Sequence, residues 1–355
     1  MNKKLKMIYL LLLVTLGYSC VEKKSTEKEV NKSELLSTSK TDTLKFTSGV
    51  GYIFQDSKMN YWFGSHKEGV CLFDGKSFKY FTINEGLSDN QIRSVQEDKD
   101  GNIWIGTANG VCSYNGKVIT NHTPTVSYDL TSNWIKTDHD LWFAAGNREG
   151  VYRYDGKKLN YLAFSKPKNV NPDDLYAVTN FSLGENDMLW IATYSGVFGY
   201  NGNQLTIINE ENLGIIKGTG PIHIRSVLED SKGRLWIGNN GIGVLLIDGE
   251  TTINFSEKHN LIHPTSSRRG DKSQPGTLEH VFTIEEDSHG NIWFGDRDTG
   301  VWRYDGNTMT NYTKNEGLTN EFVLTIYKDN NDELWLGLAD GNVFKFNGKT
   351  FDRPF

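Results

Sequence analysis

The chain is poor in the features that would tie it to several large classes of protein. Beyond an apolar run from Met7 to Leu16, too short to cross a bilayer, its 355 residues hold no second hydrophobic segment of spanning length. A transmembrane signalling helix is therefore not expected. No Lys/Arg-rich block follows the first few residues, and 38 basic residues stand against 44 acidic ones for a formal charge of −6, which argues against nucleic acid as a partner. The apolar positions show no 3.6-residue period, which excludes a stack of helical repeats. No His-Glu-x-x-His or similar ligand spacing occurs, and no histidine is paired by spacing with an acid or base partner. The sequence thus nominates no catalytic residue, no metal site and no cofactor. Prolines number only seven and cysteines three.

What is plentiful is glycine, at 36 residues, and aromatic side chains, at 12%, a composition suited to many short strands and tight turns. A tryptophan followed by Ile, Phe or Leu and then Gly or Ala recurs seven times, at Trp62, Trp104, Trp142, Trp190, Trp236, Trp293 and Trp335. The intervals run from 38 to 57 residues, the period of propeller blades. One such unit cannot bury both of its faces, so seven argue for a single ring. The expected fold is all-β, a seven-bladed β-propeller of four-stranded antiparallel blades over residues 43–355.

The stretch from Ile92 to Gly116 serves as the pattern for one blade. Ile92 to Glu97, Asn102 to Thr107 and the run ending at Tyr114 read as strands, with a fourth strand after Asn115-Gly116. Ile103-Trp104-Ile105 does not alternate with polar residues, so both faces of that strand should be covered by neighbouring blades. The residue closing the motif is never larger than Ala, which implies close approach of another backbone. Two of the connections are short. One is an acidic turn beginning at Asp98, Asp230, Asp287 or Asp329; the other is Asp-Gly or Asn-Gly, where Gly supplies the positive φ of a hairpin. The acidic turns resemble calcium loops in composition, but the 12-residue EF-hand spacing with its terminal Glu is missing.

The other two connections vary in length and must lie on the opposite face of the ring. A rigid ring that carries unequal loops on one face has the layout of a binding surface. Candidate ligand contacts there are Arg148, Tyr194, Asn239, Asn240, Asp296 and Arg297, a mixture of aromatic and hydrogen-bonding groups near the expected channel mouth. Asp296, Arg297 and Asp298 could instead pair among themselves at the surface. The longest insertion carries Arg268-Arg269-Gly270-Asp271, which reads as an ordinary solvated turn between Pro264 and Pro275.

Cys71 and Cys112 each follow a Gly-Val pair, a slot filled by Tyr152, Phe198, Leu245 and Trp302 in later repeats. Equivalent slots in stacked sheets lie about 10 Å apart, beyond disulfide reach, so both are expected to be buried thiols. The third cysteine ends a basic and then apolar leader. Residues 1–19 read as a signal peptide, and Ser19-Cys20 resembles a bacterial lipoprotein signal, which implies lipidation of Cys20 and a membrane anchor. An ordinary cleaved signal is the alternative. Residues 20–42, rich in Lys, Glu, Ser and Thr, read as a flexible tether.

The pattern Ile-x-x-Val-x-Glu-Asp-x-x-Gly-x-Ile-Trp-Ile-Gly-Thr-x-x-Gly-Val at 92–111, with copies at 224–238 and 282–295, resembles the two-component regulator propeller repeat. In that family such rings form the periplasmic sensor portions of membrane histidine kinases, often in pairs, in bacteria that respond to extracellular polysaccharides. This sequence shows one ring and no kinase, so the resemblance implies a recognition scaffold and carries over no phosphotransfer. The expected function is non-enzymatic binding or sensing at the bacterial envelope, on the periplasmic or cell-surface side, with a glycan, a peptide or an envelope protein as partner. Two alternatives stand beside it. One is a lyase similar to the seven-bladed streptogramin-inactivating enzymes, although Trp-Ile-Gly-Thr replaces their Trp-Phe-Thr-Glu-like motif. The other is a platform for protein assembly.

Overall fold

Each repeat folds as a short antiparallel meander, and the meanders stand side by side around a central channel. The computed structural model of the chain describes residues 43–128, 134–165, 173–184, 187–214, 222–266 and 270–355. The signal, the whole tether with Cys20, and Arg268 and Arg269 lie outside the described residues. In blade 1 the strands are Val50–Gln55, Tyr61–Ser65, Val70–Phe73 and Phe78–Phe81, from the channel outward. Six blades have four strands each. In the third, the described residues form three, Leu141–Ala144, Gly150–Tyr154 and Leu159–Ala163. The inner edge of Leu141–Ala144 is capped by a side chain from blade 2. Gln96 Nε2 donates to the carbonyl of Trp142 at 2.7 Å, and its Oε1 accepts the Trp142 amide at 3.4 Å. An amide side chain there answers both backbone groups as a neighbouring strand would.

The second strands of blades 2, 5, 6 and 7 are buried along their whole length, which accounts for the absence of alternation in their sequences. Close approach is equally plain. A Cβ on Gly295 would lie 2.4 Å from Thr283 Cγ2 of its own blade and 2.8 Å from Val323 Cγ1 of the next. On Gly337 it would lie 2.4 Å from the carbonyl oxygen of Val50, across the junction between blades 7 and 1.

The acidic turns do more than reverse the chain. Asp287 Oδ1 accepts the amides of His289 and Asn291, and Oδ2 accepts the Asn291 side chain and the indole N–H of Trp293 at 2.8 Å. The same clasp joins Asp56 to Trp62, Asp98 to Trp104, Asp230 to Trp236 and Asp329 to Trp335, at 2.7–2.9 Å. In each case the carboxylate precedes the tryptophan by six residues and anchors the buried indole at the turn. Trp190 of blade 4 has glycine at that place and donates to Glu229 of the next blade at 2.5 Å.

Ring closure draws on both ends of the chain. Phe351–Asp352 pairs with the third strand of blade 7 as its outer strand, Phe346 standing opposite Phe351. Above it, the carbonyl of Phe46 abuts Gly341 as the carbonyl of Tyr312 abuts Gly300 in blade 6. Phe46 therefore completes the outer edge that the carboxyl-terminal strand begins. Glu68 fixes this segment by accepting the amides of Thr47 (2.9 Å) and Ser48 (2.7 Å) and both their hydroxyls. Cys71 and Cys112 are free, buried thiols, as expected from their slot.

Candidate functional site at the channel mouth

In a regular blade the side chains of the innermost strand stand on the two faces, against neighbouring blades, and leave mostly backbone edge toward the channel. Six inner strands depart from this rule at the same position. Their register with the second strand slips by one residue near the start, which leaves Gly51, Arg93, Thr179, Arg225, Phe282 and Leu324 as the extra residue of a bulge. A bulge turns its side chain out of the pleat. All six line one cavity of about 330 Å³.

The register also fixes which face this is. Val50 lies opposite Ser65, so the inner strand begins where the second strand ends, at the loops of unequal length. His66 and Tyr194 reach the cavity from two of those loops, and Tyr52 and Phe322 complete its aromatic wall. A larger cavity of about 620 Å³ continues toward the opposite face and shares Tyr52, Arg93 and Thr179 with the first.

The mouth is electropositive. Among the described residues that line it there is no Asp or Glu. Arg225 Nη1 donates to the Tyr194 hydroxyl at 3.3 Å, and its guanidinium lies 4.1 Å from the centre of the Phe282 ring and 5.6 Å from that of Tyr194. Tyr194 stacks on His223 at 4.7 Å, and Phe282 meets Phe322 edge to face at 4.9 Å. His66 lies over Gly51, where a Cβ would come within 2.7 Å of Nε2. Burial, and then the charges of Arg93, Arg225 and Lys67, hold the His66 imidazole below its ordinary pKa, so it is neutral at pH 7. Burial likewise lowers the pKa of Arg225, a change that Tyr194 opposes and Arg93 reinforces.

Of the six contacts expected from the sequence, the structure brings Tyr194 to this cavity. The other five stand elsewhere. Arg148 lies over the rings of Tyr128 (5.0 Å) and Tyr161 (5.9 Å) on blade 3. Asn239 is fully buried in the second strand of blade 5. Asn240 bridges two imidazoles, with Nδ2 3.2 Å from His223 Nδ1 and Oδ1 2.9 Å from His280 Nδ1. Asp296 is buried and accepts the amides of His280, Glu279, Asp298 and Thr299, which organise the loop after it; burial pushes its carboxyl up to about 7. Arg297 pairs with Asp298 at 2.7 Å and donates to the carbonyl of Asp271, so it ties down the long insertion. The sequence reading overlooked Arg93, Arg225 and Phe282. Their signal was present as the variable residue directly after the first apolar position of Ile-x-x-Val.

Among the described residues no group of three His, Cys, Asp or Glu is gathered to hold a metal ion, and no helix is long and apolar enough to cross a membrane.

Fold and repeat together define the class. Residues 86–109 and 219–241 match the family model described as two component regulator propeller, and the chain is a seven-bladed β-propeller that carries this repeat. No curated protein matches the sequence significantly. Solved structures do match in fold. The extracellular domain of BT4673 from B. thetaiotaomicron, assigned to a hybrid two component system, is similar with a TM-score of 0.58 at 18% identity over 86% of this chain. The chain spans only 39% of that domain's length. Virginiamycin B lyase from Staphylococcus aureus gives a TM-score of 0.59 at 16% identity, covering 86% of this chain and 97% of the lyase. PorZ of Porphyromonas gingivalis, a surface component of the type-IX secretion system, gives 0.58 at 18% identity over 86% of this chain and 47% of its own. At such identities the likeness is one of fold, which is shared by extracellular domains and lyases alike.

Proposed function

We propose that the protein is a recognition propeller of the bacterial envelope that takes a small ligand, a glycan fragment or peptide, at the channel mouth on its face of unequal loops. The observation that carries this reading is the ring of six bulged residues. Every blade that contributes to it uses the same backbone device, yet the side chains are Gly, Arg, Thr, Arg, Phe and Leu, so the device is common and the surface it builds is individual. A concave cavity with aromatic walls and a few convergent polar groups is the usual form of a small-ligand site.

Export and a lipid anchor at Cys20 are part of the proposal. They rest on the leader sequence, and the likeness to extracellular domains is in keeping with them. Retention of the parent in the membrane fraction, with release of a Cys20→Ala variant, is the expected result.

The binding reading is tested by thermal unfolding of the full chain against oligosaccharides and peptides, with the parent and a Tyr194→Ala, Phe282→Ala double variant. A ligand at a hundred times its Kd adds about 2.7 kcal/mol. The expected outcome is a stabilising ligand whose effect disappears in the variant. A ligand that stabilises both proteins equally would place recognition elsewhere.

A further inference from the structure

We infer that Arg93 and Arg225 make the channel mouth a receptor for an oxyanion, so that the ligand it takes carries a carboxylate or sulfate group. This rests on the mouth being the binding site and names the chemistry of what binds there.

Three other arginines of the molecule are neutralised by neighbouring carboxylates. Arg153 pairs with Asp140, Arg234 with Asp230 and Arg297 with Asp298, each at 2.7 Å. Arg93 and Arg225 have no carboxylate partner among the described residues. Both lie in the bulge ring and line a cavity whose described walls contain no acid. Two unneutralised guanidinium groups facing one cavity repel each other, and while Arg93 remains exposed, Arg225 is half-buried and has given up part of its hydration. Partly buried positive charge of that kind is costly unless an anion completes it.

The surroundings of Arg225 point the same way. Its contacts are the Phe282 and Tyr194 rings and the Tyr194 hydroxyl, which hold the guanidinium in place without cancelling its charge. A guanidinium presents its donors as a planar fork that matches carboxylate or sulfate oxygens in pairs. His66, neutral at the same mouth, can donate a further hydrogen bond and adds no competing negative charge. The chain as a whole carries a formal charge of −6, so its overall field does not favour anions. Selectivity for an anion must then come from these two side chains. The cavity, about 330 Å³ with Phe282 and Phe322 on its wall, has room for a sugar-sized body behind the acid group.

The test uses the full chain and three probes: inorganic sulfate, glucuronate, and glucose, which has the same ring without the acid. Binding is followed by calorimetry and by melting temperature at low and high sodium chloride, for the parent, Arg93→Gln, Arg225→Gln and the exposed control Lys117→Gln. Sulfate and glucuronate should bind the parent and the control, glucuronate at least ten-fold more tightly than glucose. Each arginine variant should lose at least ten-fold, and added salt should weaken the interaction. Sulfate also stabilises proteins by exclusion from their surface, and that part of the melting shift will be the same in all four proteins, so only the difference between parent and arginine variants counts.

Equal binding of glucuronate by parent and arginine variants would overturn the inference, as would an absence of any arginine-dependent response to either anion. If an uncharged ligand is still lost on Tyr194→Ala, Phe282→Ala, the binding reading of the mouth survives and only its anionic character falls. If that double variant responds to every ligand as the parent does, both fall together.

Discussion

Single residues in this protein divide by what the ring does to their charge. Glu285, on the inner strand of blade 6, is pushed up to about 7 by burial, against the pull of Lys328. Its pKa is thus higher folded than unfolded, and the folded chain holds a proton that the unfolded chain has already lost between about pH 4.5 and pH 7. Stability conferred by that proton is complete below the lower value and is lost as pH rises through the upper one. Glu285→Gln should therefore leave stability unchanged near pH 4 and raise it by about 2 kcal/mol at pH 8, measured by denaturant unfolding at the two pH values. No gain at pH 8 would mean that the carboxyl ionises freely in the folded chain. The same scale shows why the residues of the channel mouth were only partly legible. Tyr194 could be picked out because a loop position is visible in the sequence. Arg93 and Arg225 sit inside strands, and a strand residue reads as facing a neighbouring blade until a bulge is known to turn it toward the channel.

At the scale of one blade, the acidic turn and the tryptophan act as a unit. Burial opposes ionisation of Asp98, Asp230, Asp287 and Asp329, but the indole, side-chain and backbone donors around each outweigh it and hold the carboxyl below its ordinary pKa. A lowered folded pKa contributes stability that is present above the unfolded value of about 3.8 and is lost as pH falls through the folded one. Acid unfolding should set in below about pH 4, because several blades carry the same clasp. Asp287→Ala should cost about 2–3 kcal/mol at pH 7, since it strands the buried indole N–H of Trp293 and three further donors. The difference from the parent should shrink in acid, where the parent's carboxyl is itself protonated. A cost that stayed constant with pH would refute the clasp. The turn was expected from its composition. Its link to the tryptophan was also written in the sequence, as a fixed interval of six residues, but only the fold shows that the interval brings the two side chains together.

At the scale of the whole molecule, stability depends on closing the ring, and the closure is shared between chain ends more than 300 residues apart. Phe351 is buried in blade 7, and Phe355 meets Phe63, Phe73 and Phe78 of blade 1. Phe351→Ala should cost about 3–5 kcal/mol, the range for a large core side chain, and Glu68→Ala about 2 kcal/mol through its hydrogen bonds to Thr47 and Ser48. Thermal and denaturant unfolding of the two variants would decide this, and a neutral Phe351→Ala would mean that the amino-terminal segment alone seals the ring. The sequence by itself determined the repeat, the number of blades, the burial of the second strand and the small residue that ends it, because each follows from local spacing repeated seven times. Leu44–Thr47 and Lys349–Phe351 both have the local pattern of an outer strand, and spacing alone does not choose between them. The tertiary structure decided that both lie on the outer edge, and it decided which side chains enter the channel. Those outcomes depend on register between strands and on contacts between distant blades, and a one-residue slip that leaves the sequence pattern untouched is enough to send a side chain to a different place.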